Sequence, residues 1–168
     1  YSELKREYID GYVYAMAGSA ASSGFYGMFR SNDGGLTFTL RATQPNICSG
    51  DINGTNSGGF TWYTLAMAAD PTNAEHILTG AINVWESFDG GQTYSLNANW
   101  SNYNYNYVHA DIHYLDFTGN TLYCGSDGGL YKSSDFGNSW SDISAGMAIS
   151  QFYRLATSEL NNTLVFTG

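Results

Sequence analysis

Short runs in which apolar and polar residues alternate recur along the chain, and Gly, Asn, Asp and Pro separate them. Alternation with a period of two puts neighbouring side chains on opposite faces of a strand, so the runs predict β-strands. The predicted strands are 25–30, 37–41, 62–68, 76–81, 82–86, 93–96, 108–117, 121–125, 130–132 and 139–143. No segment has a convincing helical period, and only residues 3–8 are compatible with a single helical turn.

Three segments share the frame Ser-x-Asp-x-Gly-x-Thr/Ser-aromatic, and each lies between two predicted strands. They span residues 31–38, 87–94 and 133–140, and are called the Ser-Asp turns below. The shared positions are Ser31, Asp33, Gly35, Thr37, Phe38, Ser87, Asp89, Gly91, Thr93, Tyr94, Ser133, Asp135, Gly137, Ser139 and Trp140. The repeat distance of about 46 to 56 residues is that of a four-stranded propeller blade.

Each residue type that the three segments share has a physical role in a tight turn. The Asp carboxylate can accept backbone N–H groups, as in an Asx-turn, and the Thr or Ser hydroxyl can close the loop from the other side. The second Gly supplies a positive φ that other residues tolerate poorly. The aromatic residue then begins the next strand and packs between sheets. We therefore expect the turns to be structural rather than catalytic.

The three turns resemble the Asp-box repeats, also called bacterial neuraminidase (BNR) repeats, of sialidases, xyloglucan-hydrolysing two-propeller enzymes and sortilin-type receptors. Residues 108–113 (VHADIH), 125–133 (GSDGGLYKS) and 149–154 (ISQFYR) further resemble sortilin-like propellers of large secreted proteins from Bacteroidetes-type bacteria. The resemblance implies an all-β propeller of four-stranded antiparallel blades, with a secreted or cell-surface location. It implies no single activity, because the same turn decorates enzymes, receptors and assembly factors.

The predicted strands divide the chain into blades. We expect a partial blade and a loop over residues 1–58, complete blades over 59–107 and 108–148, and the start of another blade over 149–168. A closed propeller needs at least four blades, so this ring is expected to be incomplete. The remaining blades of the same propeller, or another chain segment, would complete it.

Charge and composition exclude some partners. The 168 residues carry a formal charge of −9, with only six scattered Lys and Arg, so no basic face for nucleic acid or anionic lipid can be assembled. No apolar run approaches the ~20 residues of a membrane span, so no membrane insertion is expected.

The two cysteines, Cys48 and Cys124, match no metal-ligand spacing. Cys124 has the pattern of a buried thiol, and a disulfide between the two stays open.

His109, Asp111 and His113 alternate along the predicted strand 108–117, which would begin its blade and face the propeller axis. Ala110 and Ile112 would point the other way. Two imidazoles and a carboxylate could hold Zn²⁺, could contact a ligand in the channel, or could form a hydrogen-bonded structural row.

A run at 48–56 with the pattern Asp-x-Asn-Gly resembles the start of a calcium loop, but lacks the later Glu. No cofactor is expected, and Ca²⁺ or Zn²⁺ stays open.

Two aromatic runs flank the second predicted blade, and their rings alternate with Asn. Stacking faces beside amide groups suit sugar rings, although packing between blades would explain them equally well. The candidate glycan-stacking residues are Trp62, Tyr63, Trp100, Tyr103, Tyr105 and Tyr107.

The function expected from these features is a binding module for protein or glycan, with no catalytic residue in this segment. The alternative is part of a xyloglucanase-like glycoside hydrolase whose carboxylates lie partly in missing blades. Asp111 and Asp116 differ in parity along the predicted strand, so they cannot form the carboxylate pair that hydrolysis needs. The four arginines show no cluster that could bind a sialic acid carboxylate, which argues against a sialidase. The third hypothesis is a purely structural spacer in a cell-surface protein.

Overall fold

A computed structural model describes residues 4–9, 11–101, 105–147, 155–157 and 165–167. These residues contain β-strands and no helix, which confirms the all-β prediction. The helical turn considered for residues 3–8 is wrong, because Leu4–Ile9 is a strand that pairs antiparallel with the next strand from Leu4↔Ala17 to Ile9↔Tyr12. Pairing with a neighbour decides the conformation of this charged segment, which carries no strand pattern of its own.

Three antiparallel sheets of four strands follow one another along the chain, each in simple sequential order. The first contains β1 (Leu4–Ile9), β2 (Tyr12–Gly18), β3 (Phe25–Ser31) and β4 (Thr39–Ala42). The second contains β5 (Ala66–Asp70), β6 (Asn73–Gly80), β7 (Val84–Ser87) and β8 (Ser95–Ala98). The third contains β9 (Ile112–Thr118), β10 (Thr121–Ser126), β11 (Gly129–Ser133) and β12 (Ser141–Asp142), and β13 (Leu155–Thr157) pairs with β14 (Val165–Thr167). The first sheet therefore has four strands where a partial blade was expected.

The second sheet is apolar on both faces, because it packs between the other two. Met67 of β5 and Ile77 of β6 belong to the core shared with the first sheet. Their chain neighbours Ala68 and Leu78 belong to the core shared with the third sheet. This follows from the period of two along a strand. The first strands carry much of the contact between sheets, since β5 lies against both β1 and β9.

The two cysteines are buried free thiols in different cores. Cys48 packs between the first and second sheets, and Cys124 packs between the second and third. Burial raises the pKa of each thiol to about 12, so neither is a reactive thiolate near neutral pH. The structure therefore does not form the disulfide that the sequence left open.

The three Ser-Asp turns connect the third and fourth strands of their sheets and share one hydrogen-bond pattern. In the second turn, Asp89 Oδ1 accepts the Thr93 N–H at 2.9 Å and Oδ2 accepts the Thr93 hydroxyl at 2.6 Å. The Ser87 hydroxyl donates to Asp89 and accepts the Gly91 N–H. Gly35, Gly91 and Gly137 have φ of 92°, 83° and 95°, which favours glycine. The first and third turns repeat these contacts.

The second and third turns also dock on the preceding sheet. The Arg41 guanidinium donates to the carbonyls of Asp89 and Gly90, at 2.8 and 3.0 Å. The Asn97 amide donates to the Gly137 carbonyl at 2.9 Å, and the Trp140 indole donates to the Asn97 side chain. Arg41 and Asn97 occupy equivalent places, since each is the extra residue of a β-bulge between the third and fourth strands.

Close packing at these turns excludes any residue larger than glycine. A Cβ on Gly91 would lie 2.7 Å from Met28 Cγ, and a Cβ on Gly137 would lie 2.8 Å from Leu78 Cδ2. A Cβ on Gly35 would meet no atom closer than 3.8 Å. In the described part of the chain, the first turn therefore closes its own hairpin without supporting a neighbouring sheet.

This difference predicts unequal costs for the same substitution. We expect Asp89→Ala to lower the free energy of unfolding by about 1–3 kcal/mol, because it strands N–H donors in a turn that also carries the Arg41 contacts. Asp33→Ala should cost less, since its turn is exposed and undocked. Urea denaturation of the full chain measures both. Equal losses would show that docking adds nothing to the stability of the second turn.

Candidate functional site

The connection from β4 to β5 spans residues 43–65 and is held by a buried asparagine. The Asn46 amide donates to the carbonyls of Asn56 and Gly58 at 2.6 and 2.9 Å. Its Oδ1 accepts the N–H of Phe25 at the start of β3, at 2.8 Å. Since Asn46 is only 5% exposed, these bonds fix the loop to the first sheet.

A fourth aspartate turn lies inside this loop, where a calcium loop had been considered. Asp51 accepts both the N–H and the hydroxyl of Thr55, at 2.7 and 2.6 Å, and Ser49 Oγ accepts the Asp51 N–H. The spacing Ser-x-Asp-x-x-x-Thr matches the Ser-Asp turns, with Asn53 in place of the second glycine. The Asp51 carboxylate thus closes this turn, and the Asn at the glycine position is why the segment falls outside the repeated frame of the sequence.

The end of the loop presents three aromatic rings to solvent. Phe60, Trp62 and Tyr63 are 48%, 62% and 42% exposed, although residues 62–65 had been predicted as part of a strand. The Phe60 and Trp62 centroids are 6.3 Å apart, and those of Trp62 and Tyr63 are 5.6 Å apart. The Phe60 carbonyl accepts the N–H groups of Tyr63 and Thr64, which makes a tight turn. The rings therefore form one contiguous surface on an ordered backbone.

The ring surface meets the β10–β11 hairpin of the third sheet. The Tyr63 hydroxyl donates to Asp127 Oδ2 at 3.0 Å, and the Tyr63 ring lies edge-on to the His113 ring at 4.9 Å. His113 Nε2 lies 2.8 Å from Asp127 Oδ1. A loop that is anchored on the first sheet thus reaches a carboxylate and an imidazole on the third.

The predicted alternating row of His109, Asp111 and His113 is wrong as a strand, because β9 begins only at Ile112. Asp111 has a φ of 64°, which breaks the alternation before the strand starts. His109 Nδ1 lies 3.1 Å from the neighbouring Ala110 carbonyl, and its ring packs against Gly128. Ile112 is fully buried as expected, whereas Ala110 is partly exposed.

The three residues still meet around one hairpin turn, at Asp127 and Gly128. The Asp111 carbonyl accepts the Asp127 N–H at 3.2 Å, while His113 contacts the Asp127 carboxylate. Asp127 was not among the predicted site residues. The pairing of Ser126 with Ile112 is what brings it to the start of β9, and that register is a property of the folded sheet.

A small depression of about 300 Å³ is lined by Phe60, Trp62, Tyr63 and Asp111. These four residues are called the aromatic cup below. Partial burial and the neighbouring charge of Asp127 raise the pKa of Asp111, and His113 and His109 oppose the shift only in part. Burial and neighbouring charges, with no hydrogen bond from a described residue, account for the shift of the Asp111 pKa. The cup therefore combines apolar ring faces with an acid in an unfavourable electrostatic environment.

The other candidate aromatics lie apart from the cup. Trp100, Tyr105 and Tyr107 are each about half exposed, and the Tyr107 ring contacts Tyr131 edge-on at 6.2 Å. No ring contact joins them to the cup among the described residues. Tyr103 falls outside those residues. The structure thus separates the predicted glycan-stacking set into Trp62 and Tyr63 in the cup and a second exposed group.

Two further expectations concern metals and carboxylate pairs. Across residues 11–101 and 105–147, no group of three or more His, Cys, Asp or Glu side chains is arranged to hold a metal ion. Asp116 is exposed on β9 and accepts the Tyr114 hydroxyl at 3.1 Å. The carboxylate whose charge acts on Asp111 is that of Asp127 rather than Asp116.

The two arginines with described side chains are both used between sheets. Arg30 forms an ion pair with Glu75 at 2.7 Å and donates to the Tyr14 hydroxyl, and Arg41 holds the second Ser-Asp turn. Neither contributes to the cup.

Comparison with solved structures identifies the fold class. A YCF48 structure bound to a D1 peptide matches 94% of this chain with a TM-score of 0.56 and 14% identity. The GH74 enzyme of Niastella koreensis and the GH74 xyloglucanase of Xanthomonas campestris each match 89% of it, with TM-scores of 0.54 and 0.57 and 22% identity. The chain spans 46%, 23% and 24% of their lengths. At this identity the likeness shows the fold alone, a β-propeller of four-stranded antiparallel sheets.

Neither a family model nor a curated protein matches the chain. The part of the chain with described structure contains no helix that is long and apolar enough to cross a membrane.

The raised pKa of Asp111 predicts that its ionised carboxylate lowers the free energy of unfolding of the chain. A pKa above the ordinary value of 3.8 means that the folded chain binds the proton more tightly than the unfolded chain does. Ionised Asp111 is therefore unfavourable at neutral pH, and the penalty vanishes as pH falls towards 3.8. Asp111→Asn keeps the left-handed backbone accessible and should raise the Tm at pH 7.

Thermal unfolding at pH 7 and pH 4 measures this effect, with Asp116→Asn as the control for loss of one exposed charge. The gain of Asp111→Asn should shrink at pH 4. A lower Tm for Asp111→Asn at pH 7 would show that the carboxylate stabilises the fold instead.

Proposed function

We propose that this chain is a ligand-binding module of a secreted or cell-surface β-propeller, and that it takes a protein or glycan ligand on the aromatic cup. The observation that carries the proposal is the contiguous exposure of Phe60, Trp62 and Tyr63 beside Asp111. A contiguous apolar surface exposed to water is unfavourable and often marks a binding site. Large aromatic side chains contribute most of the binding energy at many recognition surfaces.

The order of the loop supports a binding role. Asn46 and the Asp51 turn fix its backbone, and Thr61 is 3% exposed with its N–H bonded to the Ser23 carbonyl at 3.0 Å. A surface that is held in place before binding loses less conformational entropy when the ligand arrives. The charge of −9 favours neutral or basic ligands over anionic ones.

The proposal extends to the family suggested by the turns. The repeated Ser-Asp hydrogen bonds, with glycines at positive φ, support the Asp-box type of propeller, of the sortilin-like or xyloglucanase-like kind. In such a protein, further blades of the same propeller or another chain segment would close the ring. The sheets here would then form part of its wall.

A glycoside hydrolase is the second candidate, favoured by one observation. Asp111 has a raised pKa and a second carboxylate, Asp127, close enough to contribute to it, which is the environment of a general acid beside an anionic partner. The GH74 enzymes share the fold with this chain, at 22% identity. Under this hypothesis, blades outside this segment would complete the site. Release of reducing ends from xyloglucan, abolished by Asp111→Asn, would support hydrolysis.

The binding function predicts that Trp62 is the most sensitive position. We expect Trp62→Ala to weaken binding about tenfold or more, since it removes the most exposed ring of the cup. Trp100→Ala is the matched control, because it deletes an exposed Trp outside the cup. Its binding should stay within twofold of the parent chain.

Two probe sets cover the two ligand classes. Titration with xyloglucan-derived and other neutral oligosaccharides tests the glycan, and selection from a displayed peptide library tests the protein. Binding that survives Trp62→Ala but is lost in Trp100→Ala would place the ligand on the second aromatic group instead. Failure of both probe sets would contradict the binding function.

A further inference from the structure

The geometry of the aromatic cup selects among ligands, because its rings are not coplanar. The Phe60 and Trp62 planes meet at 62°, and those of Trp62 and Tyr63 at 44°. A flat row of rings suits consecutive sugars of a chain, whereas inclined rings form the walls of a cup. Such walls present several π-faces to one compact group. The volume of about 300 Å³ is at the small end of ligand sites.

The cup carries negative charge, and no Lys or Arg side chain that the structure describes pairs with it; the basic side chains near it are the imidazoles of His109 and His113. Asp111 lines the cup, and Asp127 lies behind Tyr63, bonded to its hydroxyl. The charges that act on Asp111 are those of Asp127, His113 and His109. Among the residues with described side chains, the ion pair of Asp127 is with His113, and no Lys or Arg pairs with either carboxylate.

We propose that the aromatic cup binds an alkylammonium group, and that the group is a lysine side chain presented by a protein partner. This inference rests on the binding function proposed above and names its ligand. The face of an aromatic ring attracts a cation through its quadrupole, and Trp and Tyr are the stronger partners. The Asp111 carboxylate adds a direct charge at the wall of the cup. A compact ammonium on a flexible apolar stem fits both features.

Other ligand classes use the cup less completely. A neutral sugar would stack on one ring but would add no cation beside Asp111, whose pKa is raised by burial and by the neighbouring charge of Asp127. An acidic sugar would be repelled by Asp111 and Asp127. A basic protein surface would in addition be attracted by the net charge of −9 of the whole chain. The open rim, where Trp62 is 62% exposed, leaves space for a side chain that projects from such a surface.

Small probes separate the ammonium group from the rest of a partner. The probes are Nα-acetyl-lysine methylamide, its ε-trimethylated form, and Nα-acetyl-norleucine methylamide as the uncharged counterpart. Binding to the isotopically labelled full chain is followed by NMR at the Trp62 indole N–H. We expect a Kd of about 1 mM for both cations, no saturation with norleucine, and weaker binding as salt rises from 0.05 to 0.5 M.

Two variants with matched controls test the two parts of the cup. Asp111→Asn should weaken lysine binding about fivefold or more, whereas Asp116→Asn, which removes an equal charge on the same sheet, should stay within twofold. Trp62→Leu keeps an apolar side chain at an exposed position and removes the π-face, so it should weaken binding about fivefold. Trp100→Leu should leave it unchanged. The comparison of Trp62→Leu with Trp100→Leu does not involve Asp111, so it tests the cup even if Asp111→Asn alters the backbone.

The outcomes separate this inference from the binding function itself. Equal binding of lysine and norleucine probes, or an unchanged Kd in Asp111→Asn, would overturn the ammonium assignment. A neutral oligosaccharide that binds at Trp62 when the lysine probe does not would leave the binding function standing and reject this inference. A glucosamine oligomer that binds in the cup more than tenfold tighter than the lysine probe would reject a protein as the source. Failure of lysine probes and of both earlier probe sets would reject both proposals.

Discussion

The second sheet must be covered on both faces, and the rest of the structure depends on that constraint. Its strands β5 and β6 carry buried side chains at successive positions, so each face needs a partner. An antiparallel sheet with one polar face could remain at the surface, but this one cannot. The first and third sheets supply the two covers, and the series of sheets follows from it. Cys48 and Cys124 are inert members of the two resulting cores.

The Ser-Asp turns add a directional connection to this apolar packing. Each carboxylate organises its own hairpin, and the second and third hairpins then offer carbonyls to the preceding sheet. Arg41 and Asn97 use different chemistry at equivalent bulges to reach those carbonyls. The position of the bulge, rather than the type of side chain, is therefore what the contact requires. Glycine is needed at the docked turns for two reasons, its positive φ and the absence of a Cβ.

The aromatic cup exists only because the sheets are packed in this way. Its rings come from a loop that is anchored on the first sheet by Asn46, and the acids beside it belong to the third sheet and the segment that leads into it. Separation of the sheets would therefore dismantle the cup before any strand unfolded. The Asp111 carboxylate lies in an environment that disfavours its charged form, and a binding role such as the one proposed above would explain why the scaffold tolerates that cost.

The sequence by itself determined the local features of this protein. The period of two predicted an all-β chain, and the repeated frame placed three turns between the correct strands, because a turn is stabilised by residues within four positions of one another. Tertiary structure decided the rest. Residues 4–9 became a strand by pairing with β2, Asp111 took a left-handed backbone that ended the predicted row, and Asp127 reached the site through the register of β9 with β10. Cross-strand register and loop anchoring join residues that are far apart in the chain, and their energies come from contacts that no local pattern records.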